Sequence, residues 1–358
     1  MRKIQDLHVV RSEPLVAPGA MKEQLPVSEA IADNVIAARA AIREIIAGRN
    51  QRLLCIVGPC SIHDPDAALD YARRLAKLRD QVADRMQVVM RVYFEKPRTT
   101  IGWKGLISDP HMDESCDMEQ GLRIARKLLL EINGLGLPAG TEFLDPITPQ
   151  YIADLIAWSV IGARTTESPT HREMASGLSM PVGFKNSTDG NLEVAVNAIE
   201  SARRPHSFLG ITQDGLTAIV RTSGNPDTHV VLRGGRAPNY DERSIQQCVE
   251  LLLNKKLEPR VIVDCSHAQT NKDYTKQPAV LATLVGQVQR GSRAVMGVML
   301  ESNLAAGNQP PNADRSLLTY GVSVTDPCID WQTTERCLLG AARALSEPRL
   351  ESSASVIR

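Results

Sequence analysis

The chain has 358 residues, and its 41 Lys and Arg residues balance its 41 Asp and Glu residues, so it carries no formal net charge at pH 7. This length allows one large α/β domain or two ordinary domains. The balanced charge gives no general attraction to nucleic acid or to an anionic membrane, so neither is expected as a partner. No apolar run approaches the length of a membrane span, about 20 residues. The first residues also lack the apolar core of a signal peptide, and the two observations favour a cytoplasmic location.

The seven cysteines are scattered along the chain, and no two of them form a CxxC pair. This pattern argues against a disulfide framework and against a structural zinc knuckle. By default each cysteine is therefore interpreted as a small buried apolar residue. Cys60 needs a further explanation, because it follows Gly58 and Pro59 directly after a strongly apolar run.

Residues 1–48 are predicted to form an extension before the main domain. Residues 1–26 have no periodic pattern, whereas Ser28 is a suitable N-cap for a helix with an apolar stripe that includes Ile42 and Ile45. Gly48 is the predicted end of this helix. We expect such an arm to pack on a neighbouring element or on a partner subunit.

Eight short apolar runs alternate with amphipathic helical stretches through the rest of the chain. The runs are 53–57, 87–94, 140–144, 160–163, 181–184, 229–232, 260–263 and 294–300. This alternation predicts an α/β fold, a (β/α)8 TIM barrel over residues 49–345. A doubly wound open sheet is the alternative, but no Gly-rich dinucleotide fingerprint follows the first run.

Residues 206–222 interrupt the alternation. They read as strand, Asp214-Gly215 turn and strand, which indicates a β-hairpin inserted into the barrel, because parallel strands are joined by crossovers and not by hairpins. Residues 346–358 are predicted to form a flexible tail.

Five cations lie at the predicted strand ends, where barrel enzymes carry their chemistry. They are Arg91, Lys96, Arg164, Lys185 and Arg233. So many positive charges in one cleft repel one another unless anions are bound, which predicts a ligand with phosphate and carboxylate groups. Gly234 and Gly235 are expected to let backbone N–H groups approach such an oxygen.

A second set of strand-end residues combines one thiol, one imidazole and two carboxylates. These are Cys60, His267, Glu301 and Asp326, a plausible donor set for a divalent transition metal. Strand alternation is expected to place Val261, Val263, Cys265 and His267 on one face that lines the barrel. For His267 alone, a satisfied core histidine is the alternative.

Seven segments of the chain together carry a family resemblance. The segments "GPCSIHD", "KPRTTIGWKG", "IGARTTESPTHREMASGLSMPVGFKN", "LRGGRAPNY", "DCSHAQTNKDY", "GVMLESN" and "YGVSVTDPCI" occur in this order. In them the chain closely resembles the type I 3-deoxy-D-arabino-heptulosonate 7-phosphate (DAHP) synthases, and within these the feedback-regulated bacterial subgroup. The resemblance implies a (β/α)8 enzyme that condenses phosphoenolpyruvate with erythrose 4-phosphate to DAHP and phosphate, the first step of the shikimate pathway to chorismate and the aromatic amino acids.

The resemblance also implies roles for individual residues. It assigns Cys60, His267, Glu301 and Asp326 to one divalent metal ion (Mn, Fe, Co or Zn), which would make Cys60 and His267 part of the catalytic set. It assigns Arg91, Lys96, Ala163, Arg164, Lys185 and Arg233 to phosphoenolpyruvate, and Lys96, Pro97, Arg98 and Thr99 to the sugar phosphate. Lys96 is expected to protonate the new hydroxyl group, and Glu142 to handle the proton of the attacking water.

Regulation by an aromatic amino acid is a further implication of the resemblance. The positions that match the family's effector pocket are Pro146, Gln150, Gly177, Leu178, Ser179, Phe208 and Val220. Pro146 resembles the tyrosine-sensitive isoenzymes, which favours tyrosine as effector. A homodimer or a homotetramer is expected.

Two alternative functions remain at this point. One is 3-deoxy-D-manno-octulosonate 8-phosphate synthase, which the "KPRTT" segment and the N-terminal arm argue against. The other is a non-catalytic paralogue that only senses an aromatic amino acid, and the intact metal and cation sets argue against it.

Overall fold

The computed structural model describes residues 4–97 and 102–347 and shows ten strands within them. The strands are β1 Leu53–Gly58, β2 Met86–Arg91, β3 Ala139–Glu142, β4 Trp158–Ile161, β5 Val182–Lys185, β6 Ser207–Ile211, β7 Thr217–Arg221, β8 Thr228–Leu232, β9 Val261–Asp264 and β10 Val295–Glu301. Eight of them form a closed parallel barrel in the order β1-β10-β9-β8-β5-β4-β3-β2. The predicted (β/α)8 fold is confirmed, and every predicted apolar run overlaps one barrel strand.

Helices connect the strands and cover the barrel. They are α1 Pro18–Gln24, α2 Glu29–Ile46, α3 Pro65–Val82, α4 Met118–Gly134, α5 Pro149–Ile152, α6 Pro169–Gly177, α7 Glu193–Ala202, α8 Glu242–Asn254, α9 Gln277–Gln289 and α10 Trp331–Ser346. The helix α3 begins where the Asp64 carboxylate accepts hydrogen bonds from the backbone N–H groups of Asp66 and Ala67. No helix in the described ranges is both long and apolar enough to cross a bilayer.

Alternation along each strand divides the buried residues between two layers. Leu54 and Ile56 of β1 pack with Ile262 inside the barrel, whereas Cys55 and Val57 belong to the larger cluster between the barrel and its helices. The phase on β9 therefore differs from the prediction.

The prediction for β9 was wrong because both faces of a parallel barrel strand are buried and apolar, so the sequence does not indicate which face is inside. Val261, Val263 and Cys265 pack towards the helices. His267 still reaches the barrel mouth, because the chain turns after Asp264 into a short 3₁₀ helix whose first residue, His267, has φ of 56°.

The helix α2 closes the amino-terminal end of the barrel of its own chain. Its N-cap is Ser28, as predicted, and its buried residues Ala38, Ile42, Ile45 and Ile46 join the same cluster as the interior strand residues. Each of these side chains is at most 6 % exposed. The apolar stripe of the extension is therefore part of the barrel core.

The strands β6 and β7 form a separate antiparallel hairpin. At its tip, the Gln213 carbonyl accepts from the Gly19 N–H at 2.7 Å, and the Gln213 Oε1 accepts from Lys22 Nζ at 2.9 Å. The Gln213 Nε2 donates to Gln150 Oε1 at 2.8 Å. The hairpin tip thus connects the extension to the segment after β3.

Candidate active site

One cavity at the carboxyl ends of the strands collects most of the predicted site residues. It is lined by Arg91, Lys96, Pro97, Glu142, Gly162, Ala163, Arg164, Lys185, Thr188, Arg233, His267, Thr325 and Asp326. All five predicted cations therefore meet in one cleft. Arg98 and Thr99 lie outside the described residues.

Arg91 is fixed at the bottom of this cleft. Its side chain is 1 % exposed, and its Nη2 lies 2.9 Å from Glu301 Oε1, whose residue is 2 % exposed. The guanidinium also donates to the Pro59 and Cys60 carbonyl oxygens and lies 3.6 Å from the centroid of the Tyr93 ring. These contacts hold Arg91 in one orientation and balance its charge.

Asp264 is a site residue that the sequence reasoning missed. Its Oδ2 lies 2.7 Å from Lys185 Nζ and 3.1 Å from His267 Nδ1, and the residue is fully buried. Burial alone would raise the pKa of Asp264, but Lys185 and His267 hold it well below its usual range. A carboxylate within the run "VIVDC", at the position that faces the barrel interior, is the signal that could have identified it.

Arg164 and Arg233 have no such partners. Among the described residues, no carboxylate oxygen lies within 4.0 Å of either guanidinium. Arg164 is exposed at the rim, and burial lowers the pKa of the half-buried Arg233. Buried carboxylates of the protein balance the charges of Arg91 and Lys185. Arg164 and Arg233 are therefore the cations that would take an external anion as counter-charge.

The predicted metal donors are close together. Donor atoms of Cys60, Glu301 and Asp326 all lie within 4.8 Å of one another, and Cys60 Sγ is 3.5 Å from Asp326 Oδ2. His267 Nε2 lies 3.9 Å from Glu301 Oε1 at the side of this group. One sulfur, one nitrogen and two carboxylates suit a first-row transition metal, so the residues fit the ion that the resemblance implies.

Lys96 contacts the same donor set. Its Nζ lies 2.9 Å from Cys60 Sγ. Burial and the neighbouring Glu301 raise the pKa of the Cys60 thiol to about 11. Burial would lower the pKa of Lys96, but Cys60 and the nearby carboxylates raise it, which keeps the ammonium protonated and able to donate a proton.

Glu142 lines the cleft and has a buried acceptor without a partner among the described residues. The residue is only 7 % exposed, and its buried Oε1 has no hydrogen-bond partner among the described residues. A side-chain carbon at Gly162 would overlap this oxygen. A buried acceptor without a protein donor is suited to bind a donor group of a ligand or a water molecule.

Glu95 is a second residue that the sequence reasoning missed. Its carboxyl oxygens accept hydrogen bonds from the backbone N–H groups of Leu144 and Asp145 and from the Thr148 hydroxyl, at 3.2–3.4 Å. Burial and Asp145 raise its pKa to about 8. Glu95 directly precedes Lys96, so it fixes the start of the "KPRTT" segment against the segment after β3.

Two smaller expectations have different outcomes. The N–H groups of Gly234 and Gly235 already bond Asn239 Oδ1 and the Ala237 carbonyl, so the expectation that they meet a ligand oxygen was wrong. Cys55 is fully buried and packs between the barrel and its helices, as predicted.

The predicted effector residues lie around the hairpin and not in the mouth. Phe208 pairs with Val220 across β6 and β7, and Gly177 leaves too little space for a side chain beside Thr222. Leu178, Ser179, Pro146 and Gln150 are exposed or half-buried on the adjoining segments. Gln150 reaches the hairpin tip through Gln213.

The barrel mouth brings five cationic side chains beside a possible metal-donor group, an arrangement suited to an enzyme with an anionic substrate. The model of the DAHP synthetase I family matches residues 25–339. The chain is 55 % identical over 335 residues to a phospho-2-dehydro-3-deoxyheptonate aldolase, Tyr-sensitive, of Escherichia coli (strain K12), with 94 % of each chain covered. It is 52 % identical over 344 residues to the Phe-sensitive aldolase of the same strain, with 96 % of this chain and 98 % of the relative covered.

A solved structure agrees with these matches. A phospho-2-dehydro-3-deoxyheptonate aldolase from Francisella tularensis SCHU S4 superposes with a TM-score of 0.91 at 46 % identity, covering 94 % of this chain and 98 % of that one. The chain belongs to the DAHP synthetase I family. The predicted family and the prediction that the chain is an enzyme are confirmed, whereas the predicted cytoplasmic location stays a prediction.

Proposed function

We propose that this enzyme is a metal-dependent DAHP synthase that condenses phosphoenolpyruvate with erythrose 4-phosphate and releases phosphate. One observation carries the proposal. Among the described residues, no carboxylate oxygen lies within 4.0 Å of the Arg164 or Arg233 guanidinium, and their cleft is also lined by Asp326, which belongs to the donor group with Cys60 and Glu301. A phosphate dianion supplies the counter-charges that the described residues do not.

The cations divide between two tasks. Arg164 and Arg233 bind the phosphate of phosphoenolpyruvate, because they alone among the five cations have neither a carboxylate nor a thiol partner in the described ranges. Arg91 and Lys185, already held by buried carboxylates, present fixed positive charge deeper in the cleft, where the substrate carboxylate fits. Fixed charges of this kind orient C3 of the substrate without reorganisation during the reaction.

The donor set would be filled by one divalent metal held by Cys60, His267, Glu301 and Asp326. When bound, such an ion supplies Lewis-acid polarisation of the aldehyde oxygen of erythrose 4-phosphate. Pro97 and Lys96 line the adjoining wall of the cavity, where the "KPRTT" segment would hold the sugar phosphate.

The remaining steps are proton transfers at named atoms. As C3 bonds to the aldehyde carbon, Lys96 Nζ donates a proton to the oxygen that becomes the new hydroxyl. Water then adds at C2, and Glu142 Oε1, which has no protein donor among the described residues, accepts its proton. Phosphate leaves when the bond between C2 and its bridging oxygen breaks, the C2 hydroxyl oxygen then forms the carbonyl of the product, and its proton goes to the departing phosphate.

Regulation and assembly complete the proposal. We infer that tyrosine binds between the hairpin and the segments that carry Pro146 and Ser179, and that the enzyme is a homodimer or homotetramer. Large apolar side chains are exposed on the N-terminal arm and the hairpin, such as Leu7 at 61 % and Leu209 at 79 %, and a subunit contact would cover them. Inhibition assays with tyrosine, phenylalanine and tryptophan test the effector, and sedimentation tests the assembly.

The decisive experiment measures phosphate release from phosphoenolpyruvate and erythrose 4-phosphate. Activity should disappear with a chelator, return with Mn²⁺, and be lost in Cys60→Ser but not in Cys337→Ser, a half-buried cysteine outside the mouth. Turnover with arabinose 5-phosphate and none with erythrose 4-phosphate would contradict the substrate assignment. Full activity of chelated Cys60→Ser would contradict the metal role.

A further inference from the structure

A second cavity lies at the opposite, amino-terminal end of the barrel and is lined by four arginines. Arg52, Arg85 and Arg260 directly precede β1, β2 and β9, and Arg293 lies two residues before β10. These four strands are neighbours in the barrel, in the order β2-β1-β10-β9. The barrel closure therefore brings together arginines that are far apart in the sequence. We call these four residues the basal arginine cluster.

The cluster carries more positive charge than its surroundings balance. The cavity lining contains only two carboxylates, Asp84 and Glu347, against the four arginines. Within the described ranges, no carboxylate oxygen lies within 4.0 Å of any of the four guanidinium groups. Burial lowers the pKa of Arg260, Glu258 raises it, and Arg293 lowers it, so Glu258 is a nearby carboxylate outside the cavity lining that offsets part of the positive charge.

Three of the four guanidinium groups each donate a hydrogen bond to the described residues, and Arg85 and Arg293 are exposed. Arg52 Nε donates to Asn50 Oδ1, Arg85 Nε to Ser346 Oγ, and Arg260 Nη1 to the Ile45 carbonyl, at 3.0–3.3 Å. A guanidinium has five N–H donors. The guanidinium groups of Arg52, Arg85 and Arg260 each donate one hydrogen bond to the described residues. Most of their N–H donors therefore remain available for another acceptor.

The shape of the cavity fits a small molecule. Its volume is about 480 Å³, within the range of about 300–1,000 Å³ that is usual for small-ligand sites. Its floor contains the buried strand residues Leu53, Val295 and Met296, each at most 4 % exposed. The lining residues alone, four arginines against Asp84 and Glu347, have an excess of two positive charges, which suits a phosphate anion, and arginine forks fit the oxygens of a phosphate group.

We propose that the basal arginine cluster is a second anion site, separate from the catalytic mouth, which binds inorganic phosphate or a small phosphate monoester. The ligand bridges the residues that join α2 to β1 and the end of α10. Its binding therefore stabilises the attachment of the N-terminal extension to the barrel. Neither this site nor its role depends on the proposed reaction.

Equilibrium dialysis with radiolabelled inorganic phosphate tests the proposal on five forms of the full chain. These are the wild type, a mouth variant Arg164→Gln/Arg233→Gln, a basal variant Arg52→Gln/Arg293→Gln, a combined variant with all four of these changes, and a control variant Arg49→Gln/Arg290→Gln, which should bind phosphate as the wild type does. The control arginines are exposed and already paired with Glu44 and Glu242. Arg260 is left intact, because its bond to the Ile45 carbonyl holds the end of α2.

The mouth variant should still bind phosphate at the basal arginine cluster. The combined variant should bind it at least about tenfold more weakly. Phosphate should raise the melting temperature of the mouth variant but not of the combined variant, and the basal variant alone should keep the wild-type turnover rate. Competition by glycerol 3-phosphate would identify a monoester site, and its absence a site for the free ion. A mouth variant that binds no phosphate, or a combined variant that binds as well as the mouth variant, would overturn the proposal.

Discussion

Replacing Arg91 by methionine tests the electrostatic account of the mouth most directly. Methionine has a similar length and no charge, so Arg91→Met leaves the carboxylate of Glu301 buried without its partner. Both side chains are nearly inaccessible, at 1 % and 2 %. Breaking a buried pair in this way costs about 3–5 kcal/mol, because the remaining ion has lost its water and its counter-charge.

The matched control is the surface pair of Arg74 and Asp70 on α3. Its atoms lie 3.2 Å apart, but the side chains are 43 % and 33 % exposed. Arg74→Met should therefore lower the free energy of unfolding by only about 0.3–0.5 kcal/mol. The comparison separates the effect of burial from the effect of losing an ion pair.

The assay is urea unfolding followed by tryptophan fluorescence, with a chelator present so that no metal contributes to stability. Adding Glu301→Gln to Arg91→Met removes the uncompensated charge, so the double variant should recover about 2 kcal/mol of the loss. The reasoning is refuted if Arg91→Met costs no more than Arg74→Met, or if the double variant is less stable than Arg91→Met.

Three further predictions follow from other contacts. Because the pKa of Glu95 is raised to about 8 by burial and by Asp145, its carboxyl group stays protonated in the folded chain while it ionises in the unfolded chain above pH 4.5. The free energy of unfolding of the wild type should thus fall as the pH rises towards 8. In urea unfolding, Glu95→Gln should gain about 1 kcal/mol of stability over the wild type for each pH unit from 5 to 7. A difference between the two proteins that does not change with pH would contradict this. Gln213→Ala should weaken inhibition by the effector at least about threefold, since each lost hydrogen bond costs about 1 kcal/mol, and leave uninhibited turnover unchanged, whereas Asp214→Ala should change neither. Gly162→Ala should displace the Glu142 carboxylate and lower kcat at least about tenfold; unchanged kcat would exclude Glu142 as the proton acceptor.

The barrel and most of the mouth could be predicted because they depend on local patterns. Apolar runs mark strands, the Asp214-Gly215 turn marks a hairpin, and the end of a barrel strand marks the mouth. Each of these signals lies within about ten residues of the chain. Cys60, Arg91 and Lys185 were placed at the mouth in this way, whereas the metal role of Cys60 was implied by the family resemblance.

The missed features depend on contacts between distant segments. Asp264 and Glu95 are buried acids whose partners, such as Lys185 and Thr148, come from other strands or loops. The phase of β9 could not be predicted, because both of its faces are apolar and buried. The predicted charge balance of the mouth was incomplete, because Asp264 comes from a distant strand and was not counted as a partner of Lys185.

The position of α2 limits how the proposed feedback control could be removed. A deletion of the whole extension is the obvious route for a production strain. It would also remove Ile42 and Ile45 from the base of the barrel, and Met21 of α1 is equally buried at 0 %. Losing three such side chains would cost about 6 kcal/mol or more, comparable to the total stability of many domains. A useful truncation must therefore end before Pro18, or the effector contacts must be changed one residue at a time.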